Sequence, residues 1–436
     1  MSTRWFAWGP EPHVAFSRLG AVLATVPVPP KRLEDYLGSA GEEAVDRLRE
    51  MARPLSGSRL LMLNSTAFGG GVAELLFTQV ALLEDLGIET TWAVLEGSDE
   101  YFAVTKAVHN ALQGAPIDWT PQMETAYLER IRANAAELTE TFDVVFVHDP
   151  QPAALIEALE DEDRKTGRWL WRCHIDLSTP HAPVWAFFEP IVNRYDAAIF
   201  TMEAFSQPGV TAPVAFVPPS IDPISTKNTP LNDETVHEVL TAFGIDPRRP
   251  IVTQVSRFDP WKDPLGVIDA FRIAREEHPE LQLVMAGSMA SDDPEGMEFL
   301  DRTEAHRDGD RDIHLLTNLH NVGNLEVNAF QSASAVVVQK STREGFGLTV
   351  TEALWKGKAF IGGDVGGIPL QIQDGETGFL VNSPEECAQR CIELLSDPAL
   401  ARRLGLAGKE HARRNFLSPR YLRDYLRVFS AMADEA

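Results

Sequence analysis

Glu344 and Glu352 lie eight residues apart in the stretch Ser341 to Lys356. The apolar run Ala335 to Val338 before them reads as a buried strand, Gly345 and Gly347 as a tight turn, and Leu348 to Trp355 as the opening of a helix. A strand entering a glycine turn and a helix N-terminus is an anion site, because unpaired amides and the helix dipole both favour negative charge. A bare carboxylate there competes with bound phosphate, so each acid is read as holding a neutral, hydroxyl-rich group beside it. Sugar and ribose hydroxyls meet that need, and the pattern points to a nucleotide-sugar site.

A second constellation is Arg257 and Lys262, five residues apart across the proline-containing turn of Ser256 to Asp263. Arg offers a planar fork and Lys a point charge, so together they can grip one diphosphate. Such a pair stabilises charge growing on a departing nucleoside diphosphate without a metal. The plainer reading is surface ion pairing with Asp259 and Asp263. Gly69, Gly70 and Gly71 let backbone approach a phosphate or sugar, though Glu74 fills the third glycine position of the dinucleotide fingerprint. His174 can hydrogen-bond a sugar hydroxyl near the reacting carbon or merely cap its strand. Asp149, Arg172 and Asp176 are candidates for the acceptor sugar. Asp292 and Asp293 read as a helix N-cap rather than half a metal motif, and no metal site is expected. Trp169 and Trp171 alternate along one strand and read as core.

Short apolar strands alternating with helices must position these groups. They include Arg59 to Asn64, Ile88 to Leu95, Asp143 to Val147, Trp169 to Ile175, Ala197 to Thr201, Ile251 to Val255, Leu281 to Ala286 and Ile313 to Leu316. The alternation predicts an α/β protein with parallel sheets covered on both faces. Pro218 to Pro223 breaks the pattern, and a polar segment follows to about Asn232. The expected organisation is a prelude over 1–57 with one helix from Lys31 to Ala52, a Rossmann-like domain over 58–230, and a second over 231–418. A C-terminal helix over 419–436 is expected to pack back on the first domain. Two doubly wound domains facing one another would form an interdomain cleft at the carboxyl ends of their strands, where ligands of such folds bind.

Bulk composition narrows the partners. The 436-residue chain is 44% hydrophobic, ample for buried cores, and carries a formal charge of −25. That charge argues against nucleic acid and anionic membrane as main partners, while one nucleotide needs only a local basic cluster. The three cysteines form no disulfide framework; Cys387 and Cys391, one helical turn apart, read as packed thiols. No secretory signal or membrane-length apolar run is apparent, so a cytoplasmic protein is expected, with a homodimer the default assembly.

Taken together, these residues resemble a known family. Glu344 and Glu352, with seven residues between them, resemble the Glu-x7-Glu motif of retaining glycosyltransferase family 4, which has the two-domain GT-B fold. Arg257 and Lys262 match that family's diphosphate-binding pair. The resemblance sharpens to the glycosyltransferring trehalose synthases and the related trehalose phosphorylases over Asn64 to Glu74, Val147 to Pro152, Trp171 to Ser178, Gln254 to Lys262 and the stretch from Ser341. It implies that Glu344 contacts the donor glucose and Glu352 the ribose. Gly70, Gly71, Gly345, Phe346, Gly347, Leu348 and Thr349 would line the donor, Asn318 the base, and His174 would sit near the anomeric carbon. No protein nucleophile or cofactor is implied: the leaving phosphate oxygen takes the acceptor's proton through an oxocarbenium-like transition state. The expected activity is transfer of glucose from a nucleoside diphosphate glucose to glucose with retention, giving α,α-trehalose reversibly. A phosphorylase using glucose 1-phosphate, or another acceptor, shares the fold. A sugar-binding regulatory module and a nicotinamide oxidoreductase are the readings from other classes; the intact motif residues oppose the first and the missing third glycine the second.

Overall fold

The computed structural model describes residues 17–18, 23–68, 70–288 and 294–433. Its contacts separate two α/β units, one holding the described residues from Ser17 to Pro219 and from Ser418 onward, the other Ser220–Leu417. Gly69, Asp292 and Asp293 lie outside the described residues.

The first unit contains strands β1 (Ser17–Arg18), β2 (Leu23–Thr25), β3 (Arg59–Asn64), β4 (Glu89–Leu95), β5 (Val144–His148), β6 (Arg168–Arg172), β7 (Ala197–Phe200) and β8 (Val214–Phe216). They form one sheet in the order β1-β2-β4-β3-β5-β6-β7-β8. From β4 to β8 every pairing is parallel, and the prelude adds the two antiparallel edge strands β1 and β2. Successive side chains alternate between two buried faces. Trp169 and Trp171 of β6 lie in one core with Tyr101, Tyr127 and Ile131, while Leu170 lies in the other with Met62, Trp92 and Phe146. The helices that carry Tyr101 (Asp99–Leu112) and Tyr127 (Pro121–Glu137) went unread in the sequence. On the second face, Val45 and Leu48 of the prelude pack in the same core as Tyr421, Tyr425 and Phe429 of the C-terminal helix Ser418–Ala433. The prelude helix is not continuous from Lys31. A short 3-10 turn Leu33–Tyr36 runs into Leu37–Ala40, and Gly41, at φ 86°, then turns the chain into a separate helix Glu42–Ala52.

The second unit contains β9 (Ile251–Val255), β10 (Gln282–Gly287), β11 (Ile313–Thr317), β12 (Val336–Gln339), β13 (Ala359–Gly363) and β14 (Phe379–Val381). All pair in parallel, in the order β11-β10-β9-β12-β13-β14. This is the doubly wound order, whose direction of winding reverses between β9 and β12. In the first unit the corresponding reversal falls between β3 and β5.

The chain enters the second unit at Ser220, earlier than the expected boundary at 230/231. The polar segment is not a free linker. Ile221 bridges to Leu417, Asn328 Nδ2 donates to the carbonyls of Thr226 and Thr229, and Lys356 Nζ donates to Asn228 Oδ1 at 3.2 Å. Those bonds satisfy its polar groups within the second unit, which periodicity cannot show.

Candidate active site

The two cation- and acid-bearing motifs of the second unit follow β9 and β12, the strands flanking the reversal. After β9, Asp259 accepts from the amides of Trp261 and Lys262 at 3.0 and 3.2 Å, closing a turn over Pro260–Lys262. Asp263, in the left-handed region at φ 47°, then caps the helix Pro264–Glu277. Gln254 Nε2 holds the Lys262 carbonyl at 2.7 Å. The turn thereby sends Lys262 toward the loop after β12, whose Thr342 amide donates to the Trp261 carbonyl at 2.8 Å. Lys262 Nζ donates to Glu344 Oε2 at 2.6 Å, and Ser341 Oγ donates to the same oxygen at 3.2 Å. Residues 82 positions apart thus make one charge-assisted contact, with side chains 17% and 9% exposed.

Backbone packing locks Glu344 in place. Its carbonyl accepts from the Gly367 amide at 3.1 Å, and Gly366 passes so close that an added Cβ would lie 1.7 Å from that oxygen. Gly366 also adopts φ 55°, so only glycine serves there. At the end of the motif Gly347, φ 82°, stands at the N-cap of Leu348–Trp355 and supplies no side-chain acceptor. By contrast Ser98, Thr120, Asn232 and Asp263 cap their helices with side-chain oxygens. No N-cap side chain therefore claims the first amides of this helix, the condition an anion needs.

Glu352 is placed differently from Glu344. It is 1% exposed, 3.3 Å from Lys227 Nζ, and accepts from Gln331 Nε2 at 3.3 Å. Lys356 is nearby; burial, set against the attraction of Glu352, lowers its ammonium to about 7. Lys227 and Gln331 had no signature in the sequence, being remote from the motif and in a polar segment and a helix interior. Arg257 is exposed and pairs with Asp259 at 3.3 Å, as the plainer reading anticipated, while Asp263 is held by Lys340 rather than by Lys262. Asn318 begins a short turn after β11.

In the first unit, adjacent strand ends carry the remaining candidates. Gly70 is the N-cap of Gly71–Asp85, again without a side-chain acceptor. Asp149 follows β5 at φ 66°, and its backbone amide donates to the Arg172 carbonyl at 2.7 Å. Its Oδ1 accepts from the His174 amide at 2.8 Å. Burial raises the Asp149 carboxyl to about 6, against the opposing pull of that amide and of Arg172. His148 Nδ1 and His174 Nε2 are 3.0 Å apart with the rings nearly parallel. Burial and then the Arg172 guanidinium lower His148 to about 3, and the same causes hold His174 well below the usual imidazole range. Arg172, expected at the acceptor, is fully buried, with Nη2 3.4 Å from Thr201 Oγ1. It lies beneath the loop rather than at its surface, since β6 ends at Arg172 and not at Ile175. Asp176 Oδ1 accepts from the Ser178 amide at 2.8 Å in a local turn.

Fold and motifs define a glycosyltransferase of the GT-B type. Residues 62–207 match the family described as trehalose synthase, N-terminal domain, and residues 238–411 match glycosyl transferases group 1. The trehalose synthase of Rubrobacter xylanophilus is 50% identical over 92% of this chain and 97% of its own, and that of Pyrococcus horikoshii 47% over the same shares. The chain belongs to the trehalose synthase family. Its fold is also that of a UDP-forming α,α-trehalose-phosphate synthase from Burkholderia xenovorans, with a TM-score of 0.69 at 13% identity over 85% of this chain and 100% of that one. Among the described residues, no helix is long and apolar enough to cross a membrane.

Proposed function

We propose that this protein is a retaining glucosyltransferase that joins glucose from a nucleoside diphosphate glucose to free glucose, giving α,α-trehalose, and that it runs in both directions. The observation that carries the reading is the Lys262–Glu344 contact at the sheet reversal, beside a glycine-opened helix. In the free protein the two groups satisfy one another. With donor bound, Lys262 turns to the diphosphate with Arg257, and Glu344 accepts from glucose hydroxyls. The amides of Leu348 and Thr349 face the phosphate, with Gly345 and Phe346 shaping the turn, and Gly70 and Gly71 are the first unit's candidates for the donor. Glu352, held by Lys227 and Gln331, accepts from the ribose, and Asn318 borders the base.

As the glycosidic bond to phosphate breaks, charge grows on the leaving oxygen. Arg257 and Lys262 stabilise it, where one well-placed donor is worth roughly 2.7–4 kcal/mol. The same oxygen takes the proton of the attacking hydroxyl on the same face, so configuration is retained. His174 donates to a sugar hydroxyl beside the reacting carbon. Asp149 and Asp176 border the acceptor, and Arg172 supports their loop from beneath. The reading calls for no metal or cofactor.

Trehalose formation measured with ADP-, UDP- and GDP-glucose beside glucose 1-phosphate tests it. Product from at least one nucleotide donor is expected. Product from glucose 1-phosphate alone would make the protein a phosphorylase and overturn the proposal.

A further inference from the structure

We propose that His148 is a positioning residue that holds His174 in its Nδ1–H tautomer, so that His174 presents a hydrogen-bond donor to the reacting sugar. The inference rests on the role given to His174 above and gives a role to a residue of the Val147–Pro152 block that had none. His148 ends β5 and is 1% exposed, with its ring 4.5 Å from that of Phe146 two residues earlier on the same face. Phe146 is itself packed by Tyr425 of the C-terminal helix at 5.0 Å, so the imidazole is held by the core. From there Nδ1 meets His174 Nε2 at 3.0 Å.

Burial first, and then the charge of the Arg172 guanidinium, keeps both rings neutral at neutral pH. Two neutral imidazoles share one proton across such a contact, and either ring can supply it. If His174 Nε2–H donates, His148 must carry its own proton on Nε2. That atom is buried and has no partner among the described residues, so an N–H there would be an orphaned buried donor, which costs its full desolvation penalty. If His148 Nδ1–H donates, Nε2 keeps only a lone pair, which the nearby positive charge of Arg172 favours. The second arrangement wins on both counts. It leaves His174 with a proton on Nδ1, and which nitrogen bears the proton is set by the bond the other makes. His174 is half-buried, and its side chain has no partner among the described residues besides His148.

Long-range proton–nitrogen NMR of the full chain labelled at histidine reads the tautomer directly, with the His174 signals assigned by their loss in His174→Gln. A neutral ring protonated at Nδ1 is expected; protonation at Nε2 would overturn the proposal. Kinetics provide a second reading, because an Asn side chain places its amide N–H where Nδ1–H stood and a Gln side chain mimics Nε2. His148→Asn should stay within about threefold of wild type in kcat, whereas His148→Gln should lose about tenfold or more with donor KM unchanged. Equal losses in the two variants would count against a tautomer lock. Should the wild type make no trehalose from any nucleotide donor, the functional reading fails by itself, and the spectrum still decides the tautomer.

Discussion

Lys262→Ala is the most informative single change. The structure gives Lys262 two duties that the variant separates. In the free protein its ammonium sits 2.6 Å from Glu344, with both side chains largely shielded. Removing one partner of such a pair strands the other, at a cost of up to about 3–5 kcal/mol when burial is complete. Ser341 Oγ remains at 3.2 Å, so the carboxylate keeps one donor and the loss should fall below that bound. During reaction Lys262 also opposes charge on the leaving diphosphate, and losing roughly 2.7–4 kcal/mol there lowers kcat by about a hundred- to a thousandfold. Initial rates of trehalose formation with saturating donor read the second duty, and thermal unfolding reads the first. The double variant Lys262→Met with Glu344→Gln removes both charges, so its stability should recover while kcat stays low. A folded Lys262→Ala with kcat within about threefold of wild type would refute the reasoning.

Glu352→Gln should destabilise by about 3–5 kcal/mol, because Lys227 and Lys356 lose their shared counter-charge, and should raise donor KM; denaturant midpoints and nucleotide titrations check both. Gly366→Ala places a Cβ against the Glu344 carbonyl at positive φ, and should lower the melting temperature by more than a conformational penalty of about 1–3 kcal/mol alone implies, with trehalose formation lost. Asp149→Asn gives a pH signature. The folded carboxyl, near 6, lies above its ordinary 3.8, so the folded state binds the proton more tightly, and the stability this contributes is lost as pH rises through about 6. The variant escapes that loss. Its melting temperature should gain on wild type between about pH 4 and 6 and hold the difference above; a constant difference at every pH would contradict the assignment.

Much of the fold could be read because local pattern and burial coincide. Arg59–Asn64, Ile251–Val255 and the helix Leu348–Trp355 fall where apolar runs and the glycine turn placed them. Trp169 and Trp171 share a core face as their alternation implied, and Cys387 and Cys391 are buried free thiols. Long-range order was legible only in part. The C-terminal helix packs in the first unit's core as expected, but the polar run after Pro223 reads as a linker until its hydrogen bonds are seen. Strand ends slipped where chemistry begins: β6 stops at Arg172, since Asp149 at positive φ captures the His174 amide and pulls the chain out of the sheet. In the site, residue types were visible and partners were not. Glu344 and Lys262 announced themselves singly, but their contact spans 82 positions and Lys227–Glu352 depends on a segment with no motif.

A crystal structure with a nucleoside diphosphate glucose analogue and glucose tests the central claim most directly. The account predicts diphosphate oxygens bonded to Lys262 and Arg257 beside the Leu348 and Thr349 amides, with Glu344 released onto hexose hydroxyls. A nucleotide seated elsewhere, with the 2.6 Å contact between Lys262 and Glu344 still closed, would contradict it.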